Sequence, residues 1–132
     1  MTVTIWHNPN CGTSRNVLAM IRATGVEPVI VDYIRTPPDA ATLAQVAAAI
    51  GGAAALLRTR GTPAEAMGLV GADDATILAA MAREPILINR PVVITPRGTV
   101  LARPSETVLP LLGGALPADF RKEDGAPALP PA

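Results

Sequence analysis

The 132-residue sequence is poor in several residue types. It has one cysteine, one histidine, and one each of tryptophan, tyrosine and phenylalanine. A single cysteine cannot form a disulfide within the chain, and so few aromatic side chains provide no platform on which nucleic-acid bases could stack. The scarcity therefore excludes an internal disulfide, argues against nucleic-acid binding and predicts an aliphatic core.

An excess of charge and a long apolar run are missing as well. Eleven basic residues balance eleven acidic ones, so the electrostatic footprint of a nucleic-acid or anionic-membrane binder is absent. The longest run of apolar and glycine residues, 46–57, falls short of the roughly 20 residues that span a bilayer. The first ten residues, MTVTIWHNPN, lack the charged start and apolar core of a signal peptide. We expect a cytoplasmic protein of one domain.

Residue patterns at the start of the chain predict an α/β fold. Thr2–Trp6 alternates β-branched and aromatic residues, and Pro28–Ile34 is a mostly apolar run of strand length. Between them lies a predicted helix with Thr13 or Ser14 as its N-cap and Gly25 as its stop. Strand, helix and strand in this order are typical of a parallel βαβ unit.

The middle third predicts an all-helical insertion. Four helical pieces occupy about 39–85, and one of them begins near Pro63. Strands return at Pro91–Thr95 and Thr99–Arg103, which form a hairpin. The sheet is therefore expected to be mixed, with helices flanking it.

The last part of the chain predicts a helix and then a loose end. Leu109, Leu112 and Leu116 indicate a helix that starts at Thr107. Beyond it, charged residues give way to the proline-rich GAPALPPA. We expect one domain and a loosely ordered tail, with bounds at 1–118 and 119–132.

The rare residues gather in one stretch, WHNPNCGTSR at 6–15, which contains the only cysteine. Cys11 follows the strand and turn and stands just before the helix, where free N–H groups and the helix dipole favour a thiolate. His7 could lower the pKa of the thiol further. The alternatives are an inert buried thiol, which is the ordinary state of a lone cysteine, and a histidine that only caps or packs.

The same helix start is a candidate oxyanion site. Its N–H groups, together with the hydroxyls of Thr13 and Ser14, can accept an anion beside the nucleophile, with Arg15 as a helper. One cysteine and one histidine are too few for a zinc site, so we predict no metal.

The spacing of residues after Cys11 does not match two other classes of cysteine enzyme. A Cys-x-x-Cys redox motif needs a second thiol where Ser14 stands, and a phosphatase-like loop needs arginine where Val17 stands. A covalent intermediate on Cys11 must therefore be released by a thiol from outside the chain.

Several blocks of sequence resemble the glutaredoxin-linked, glutathione-dependent arsenate reductases of the ArsC family. They cover nearly the whole chain: HNPNCGTSRN at 7–16, TPPD at 36–39, LLRTRG at 56–61, ILINRPVVITPRGTVLARPSE at 86–106 and FRKEDG at 120–125. The resemblance implies a thioredoxin-like fold with a helical insertion. It also implies that Cys11 attacks arsenate, that glutathione attacks the adduct and that glutaredoxin completes the reduction to arsenite, with no bound cofactor.

The resemblance assigns site residues as well. Three arginines, Arg58, Arg90 and Arg103, match those that hold the oxyanion in the family, and Pro91 matches a cis-proline that faces the cysteine. Guanidinium suits this role because its charge is permanent and its donors match two oxygens. The matching positions at the helix start, taken as substrate-binding, are Asn8, Gly12, Thr13, Ser14 and Arg15.

Two other functions stay open at this point. The first is a regulatory protein resembling the Spx regulators, which contact RNA polymerase and sense redox state; they commonly carry Cys-x-x-Cys, and Ser14 argues against it. The second is a relative with the same fold that acts on another thiol substrate, against which the full set of arginines argues.

Overall fold

A computed structural model describes residues 1–128 of the chain. Contacts divide these residues into two compact units. The first unit combines Met1–Val31 with the residues from Arg90 onward, and the second comprises Asp32–Asn89. The single domain predicted for 1–118 thus contains residues of both units, and the domain assignment stays a prediction.

The first unit is built on a four-stranded sheet in the order β2-β1-β3-β4. Strands β1 and β3 are antiparallel, as are β3 and β4, while β2 lies at the edge beside β1. The mixed sheet with flanking helices confirms the α/β prediction. The strands are β1 Thr4–His7, β2 Val29–Asp32, β3 Val92–Thr95 and β4 Gly98–Leu101, and Asp32 already belongs to the second unit.

Helix α1, Gly12–Ala23, covers the core of this unit. Its buried residues Val17, Met20 and Ile21 follow the i, i+3, i+4 spacing of one helix face and pack with Ile5 of β1 and Val93 of β3. Burial of each such side chain contributes roughly 1.5–3 kcal/mol. The helix begins two or three positions earlier than predicted, because Cys11 is its N-cap and neither Thr13 nor Ser14 is.

A 3-10 helix, Ser105–Leu111, packs against α1. The predicted α-helix from Thr107 to Leu116 is therefore wrong in type and extent. Pro110 lies inside the segment and has no N–H to donate, which a short 3-10 turn tolerates better than an α-helix does. Beyond it, Gly114 passes so close to α1 that a Cβ atom would stand 2.6 Å from the Thr24 carbonyl oxygen.

The second unit is helical, with α2 Ala40–Ala49, α3 Ala53–Leu56, α4 Asp74–Arg83 and a 3-10 turn Pro85–Leu87. Asp39 and Asp73 cap α2 and α4 by accepting from the N–H groups of Thr42 and Thr76, each at 2.8 Å. The two caps satisfy helix donors that would otherwise lack a partner within the helix.

The helix predicted near Pro63 is absent, and turns occupy this part of the chain. Gly61, Gly68 and Gly71 have φ angles of +74°, +72° and +83°, which are incompatible with a right-handed helix. Among the described residues, no helix is long and apolar enough to cross a membrane.

The C-terminal segment carries specific contacts up to residue 128. Phe120 packs against the core of the first unit, and Arg121 pairs with Pro127 in an antiparallel bridge. Lys122 N–H donates to the Ala126 carbonyl at 2.8 Å. The tail predicted as loose from 119 thus contains a closed turn, and its last part, 129–132, lies outside the described residues.

Candidate active site

The strand register of the first unit brings residues that are distant in sequence to one end of the sheet. Trp6 of β1 pairs with Val92 of β3, and Val92 pairs with Leu101 of β4. Just beyond these pairs the Ala102 N–H donates to the Pro91 carbonyl at 2.9 Å. The residues that follow β1 and β4 therefore lie at the same end of the sheet as the residues that precede β3.

A tight turn after β1 delivers Cys11 to the start of α1. The Cys11 N–H donates to the Asn8 carbonyl at 3.0 Å, and Asn8 Oδ1 accepts from the Asn10 N–H at 2.9 Å. The second contact is the local hydrogen bond that favours asparagine in turns. Cys11 itself has extended backbone angles, φ −105° and ψ 120°, as an N-cap residue requires.

Arg103 is the cation in contact with the cysteine. Its Nη1 atom lies 3.8 Å from Cys11 Sγ and donates to the Arg90 carbonyl at 3.2 Å. The sulfur is buried, whereas Arg103 is exposed on its other side. One guanidinium thus connects the thiol to the residue before Pro91.

Two X-Pro peptide bonds among the described residues are cis, Arg90–Pro91 and Arg103–Pro104. The sequence predicts the first and not the second. Each joins an arginine of the site to the proline after it.

The surroundings of Cys11 favour the thiolate. Burial opposes ionisation, but the Ser14 N–H, the charges of Arg90 and Arg103 and the hydrogen bond from Arg103 outweigh it. The pKa of the Cys11 thiol is therefore below its ordinary value. A thiol in this state differs from the inert buried cysteine that was the alternative.

His7 and Ser14 form a buried pair behind the thiol. His7 Nδ1 and Ser14 Oγ share a hydrogen bond at 2.6 Å, and Ser14 Oγ accepts from the Asn8 N–H at 3.0 Å. Ser14 is fully buried. Its hydroxyl therefore links β1 and the turn to α1. A role of Ser14 in substrate binding stays a prediction. The effect of His7 on the thiol stays a prediction.

Arg15 on the first turn of α1 is exposed and pairs with an acidic residue that the sequence did not single out. Glu123 accepts from Arg15 Nε at 2.6 Å and from Nη2 at 3.1 Å. The two residues are 108 positions apart, so nothing in the local sequence pattern indicates the contact.

The remaining predicted residues take ordinary positions. Gly12 and Thr13 form the half-buried start of α1. Arg58 belongs to the second unit, where its Nε donates to the Arg60 carbonyl at 3.1 Å. Within residues 1–128, no three His, Cys, Asp or Glu side chains are grouped so as to hold a metal ion.

Comparison with known proteins identifies the family. A family model described as the ArsC family matches residues 6–111. The chain belongs to the ArsC family. It is 50% identical over 132 residues to an arsenate reductase from Rhizobium meliloti (strain 1021), covering 98% of this chain and 94% of that protein. An arsenate reductase from Escherichia coli (strain K12) is 49% identical over 126 residues, with 93% and 89% covered.

Solved structures agree with the ArsC assignment. The arsenate reductase from Vibrio cholerae superimposes with a TM-score of 0.80 at 33% identity, over 85% of this chain and 98% of that one. The thioredoxin-like fold implied by the sequence resemblance is thereby confirmed. The ArsC motif that contains Cys11 and the segment that contains Arg90 and Arg103 both fall within the matched residues.

Proposed function

We propose that this ArsC-family protein reduces arsenate to arsenite through a covalent adduct on Cys11. The observation that carries the proposal is the buried Cys11 sulfur at the start of α1 with Arg103 Nη1 3.8 Å away. This arrangement combines a nucleophile in its reactive form with a cation that can hold the anion it attacks. The names of the relatives, arsenate reductases at about half identity, support the choice of substrate.

The first step joins sulfur to arsenic. The Cys11 thiolate attacks the arsenic of arsenate, an S–As bond forms, and one oxygen leaves as water after protonation. The permanent charges of Arg90 and Arg103 offset the negative charge on the arsenate oxygens during the attack. Arsenic stays at oxidation state five in this adduct.

Two thiols from outside the chain complete the reaction in this proposal. Glutathione attacks the arsenic of the Cys11 adduct, and a second oxygen leaves as water after protonation. A glutaredoxin thiol then attacks the glutathione sulfur, the bond between that sulfur and arsenic breaks, and its electron pair reduces arsenic to oxidation state three. One water hydrolyses the remaining Cys11–arsenic bond, which releases arsenite and returns the Cys11 thiol. The sum is one arsenate and two thiols giving one arsenite, one mixed disulfide and one water. The protein thus needs these co-substrates and no bound cofactor, which fits a cytoplasmic setting where thiols stay reduced.

The support for Arg58 as a substrate-binding residue is its position in the family motif LLR alone. Its neighbour Arg60 is exposed and offers a matched control. If Arg58 binds the oxyanion, Arg58→Ala lowers kcat/KM for arsenate by about tenfold or more, the range of a charged hydrogen bond, whereas Arg60→Ala changes it little. Equal effects of the two variants would remove Arg58 from the site.

The decisive assay measures arsenite formed by the purified protein with glutathione and glutaredoxin. We expect turnover that needs both thiols and disappears in Cys11→Ser. Turnover that survives Cys11→Ser would refute the adduct, and the absence of arsenite in the wild type would refute the activity. Turnover without glutaredoxin would refute only the proposed order of thiols.

A further inference from the structure

The C-terminal segment places a carboxylate beside the start of α1. Glu123 makes two parallel hydrogen bonds to Arg15, and its Oε2 would lie 3.7 Å from a Cβ atom on Gly12, the residue after Cys11. The pair is about half exposed, with 44% of the Arg15 side chain and 48% of the Glu123 side chain accessible. A solvent anion that approaches this end of the helix therefore meets a fixed negative charge.

Several contacts hold Glu123 in this place. Its own N–H donates to Asn16 Oδ1 at 3.0 Å. The preceding Lys122 donates to Glu106 Oε1 at 2.5 Å, in a pair whose side chains are only 21% and 13% exposed. Gly125 N–H closes the turn on the Lys122 carbonyl at 2.9 Å. The carboxylate is thus part of a hydrogen-bonded turn and not of a freely moving end.

Arg15 is near the thiol but its charge is already engaged. Its Nη1 donates to the Pro9 carbonyl at 2.7 Å, within the turn that leads to Cys11. Hydrogen bonding to Glu123 raises the pKa of Arg15, and the negative charge of the Cys11 thiolate adds to the rise. The cations that lower the pKa of Cys11 are Arg90 and Arg103. The charge of Arg15 is offset by the Glu123 carboxylate, which accepts both hydrogen bonds.

We propose that Glu123 is an internal counter-anion that weakens the affinity of the Cys11 site for oxyanions. It neutralises Arg15 and occupies donors that an incoming oxyanion could use. The inference rests on the oxyanion site of the proposed function. In this role Glu123 sets the affinity of the site for oxyanions by acting through Arg15, and the C-terminal turn holds the Glu123 carboxylate in place.

Protection of Cys11 from alkylation tests the inference without any turnover. Iodoacetamide is neutral, and inorganic phosphate, a tetrahedral oxyanion that cannot be reduced here, serves as the protecting anion. We expect Glu123→Gln to lower the phosphate concentration for half-protection by about threefold or more, as loss of one charge at several ångströms predicts. Glu27→Gln is the matched control, because Glu27 pairs with Arg22 at the other end of α1 in the same manner.

Arg15→Gln separates this role from a merely structural one. Loss of Arg15 leaves the Glu123 charge uncompensated, so half-protection should need more phosphate than in the wild type. If the ion pair only anchored the C-terminal turn, both variants would shift protection in the same direction. Thermal unfolding of each variant verifies that the fold persists.

The outcomes distinguish the two proposals. Unchanged or weaker protection in Glu123→Gln, or an equal effect of Glu27→Gln, overturns the role of Glu123. Failure of phosphate to protect any variant, the wild type included, overturns it as well by removing the oxyanion site. Protection that follows the expected pattern in a protein that forms no arsenite would support the inference and refute arsenate reduction.

Discussion

Replacement of Arg103 by glutamine is expected to slow the reaction of Cys11 with alkylating agents in acid. The guanidinium nitrogen lies 3.8 Å from the sulfur, and its outer side is exposed to solvent. Solvent reaches only one partner of the pair, since the sulfur is buried, so the high-dielectric value of about 1 kcal/mol is the smallest attraction expected at this distance. A loss of about 1 kcal/mol reduces the thiolate fraction about fivefold wherever the thiolate is the minor form. The pKa of Cys11 rises in the variant, because a positive charge that favours the thiolate is gone.

The assay follows iodoacetamide alkylation across pH by mass spectrometry of the intact chain. On the acidic limb the rate in Arg103→Gln should fall at least about fivefold, while at high pH, where both proteins are thiolate, the rates should converge. Arg97→Gln is the control, since Arg97 is exposed in the turn at the opposite end of the β3–β4 hairpin. An acidic limb that does not move in Arg103→Gln, or that moves equally in Arg97→Gln, would refute the electrostatic role of Arg103.

Three further outcomes concern stability. Ser14→Ala removes the hydroxyl that accepts from the Asn8 N–H and shares a hydrogen bond with His7. It should lower the free energy of unfolding in urea by about 1–3 kcal/mol. Thr13→Ala, at the half-buried neighbouring position, should lower it less, and equal losses would contradict this explanation. Gly114→Ala should destabilise by about 1–3 kcal/mol because its Cβ would meet the Thr24 oxygen at 2.6 Å. Gly113→Ala meets only the flexible ends of the Met1 and Arg97 side chains and should cost less; the reverse order would be inconsistent with the close approach. Asp73→Ala should lower Tm at neutral pH. Hydrogen bonds from Thr76 hold the pKa of Asp73 below its usual value, so its stabilisation is present above the unfolded pKa and is lost as pH falls through the folded one. The Tm difference between wild type and variant should shrink in acid, and a constant difference would refute the charge-dependent cap.

Local physics predicts much of the fold from the sequence. The helical pieces of the second unit and the hairpin of β3 and β4 follow from short-range patterns, although β4 begins at Gly98, one residue earlier than predicted. The position of Cys11 at a helix start also follows, although the N-cap is the cysteine itself and not Thr13 or Ser14. These features depend on neighbours in sequence, which is why the pattern suffices.

Long-range contacts are what the sequence does not reveal. Ser14 is a good cap residue in isolation, yet its hydroxyl serves His7 and the Asn8 N–H, so tertiary contacts override the local preference. Arg90 and Arg103 come from a family motif, and only the strand register explains why they meet. The block FRKEDG carries the family resemblance, but it does not indicate the role of Glu123, because that role depends on a partner 108 positions away.

The length of the β3–β4 turn constrains the chemistry at the other end of the hairpin. Thr95 pairs with Gly98 across only two residues, and the same ladder ends at the pair Val92 and Leu101. One inserted residue would put the two strands out of phase, and the side chain at 103 would then project from the opposite face of the sheet. Two inserted residues would restore the face but shift that side chain by about 7 Å along the strand. Insertions and deletions in this surface turn should therefore be counted as active-site changes when relatives are compared or the protein is engineered.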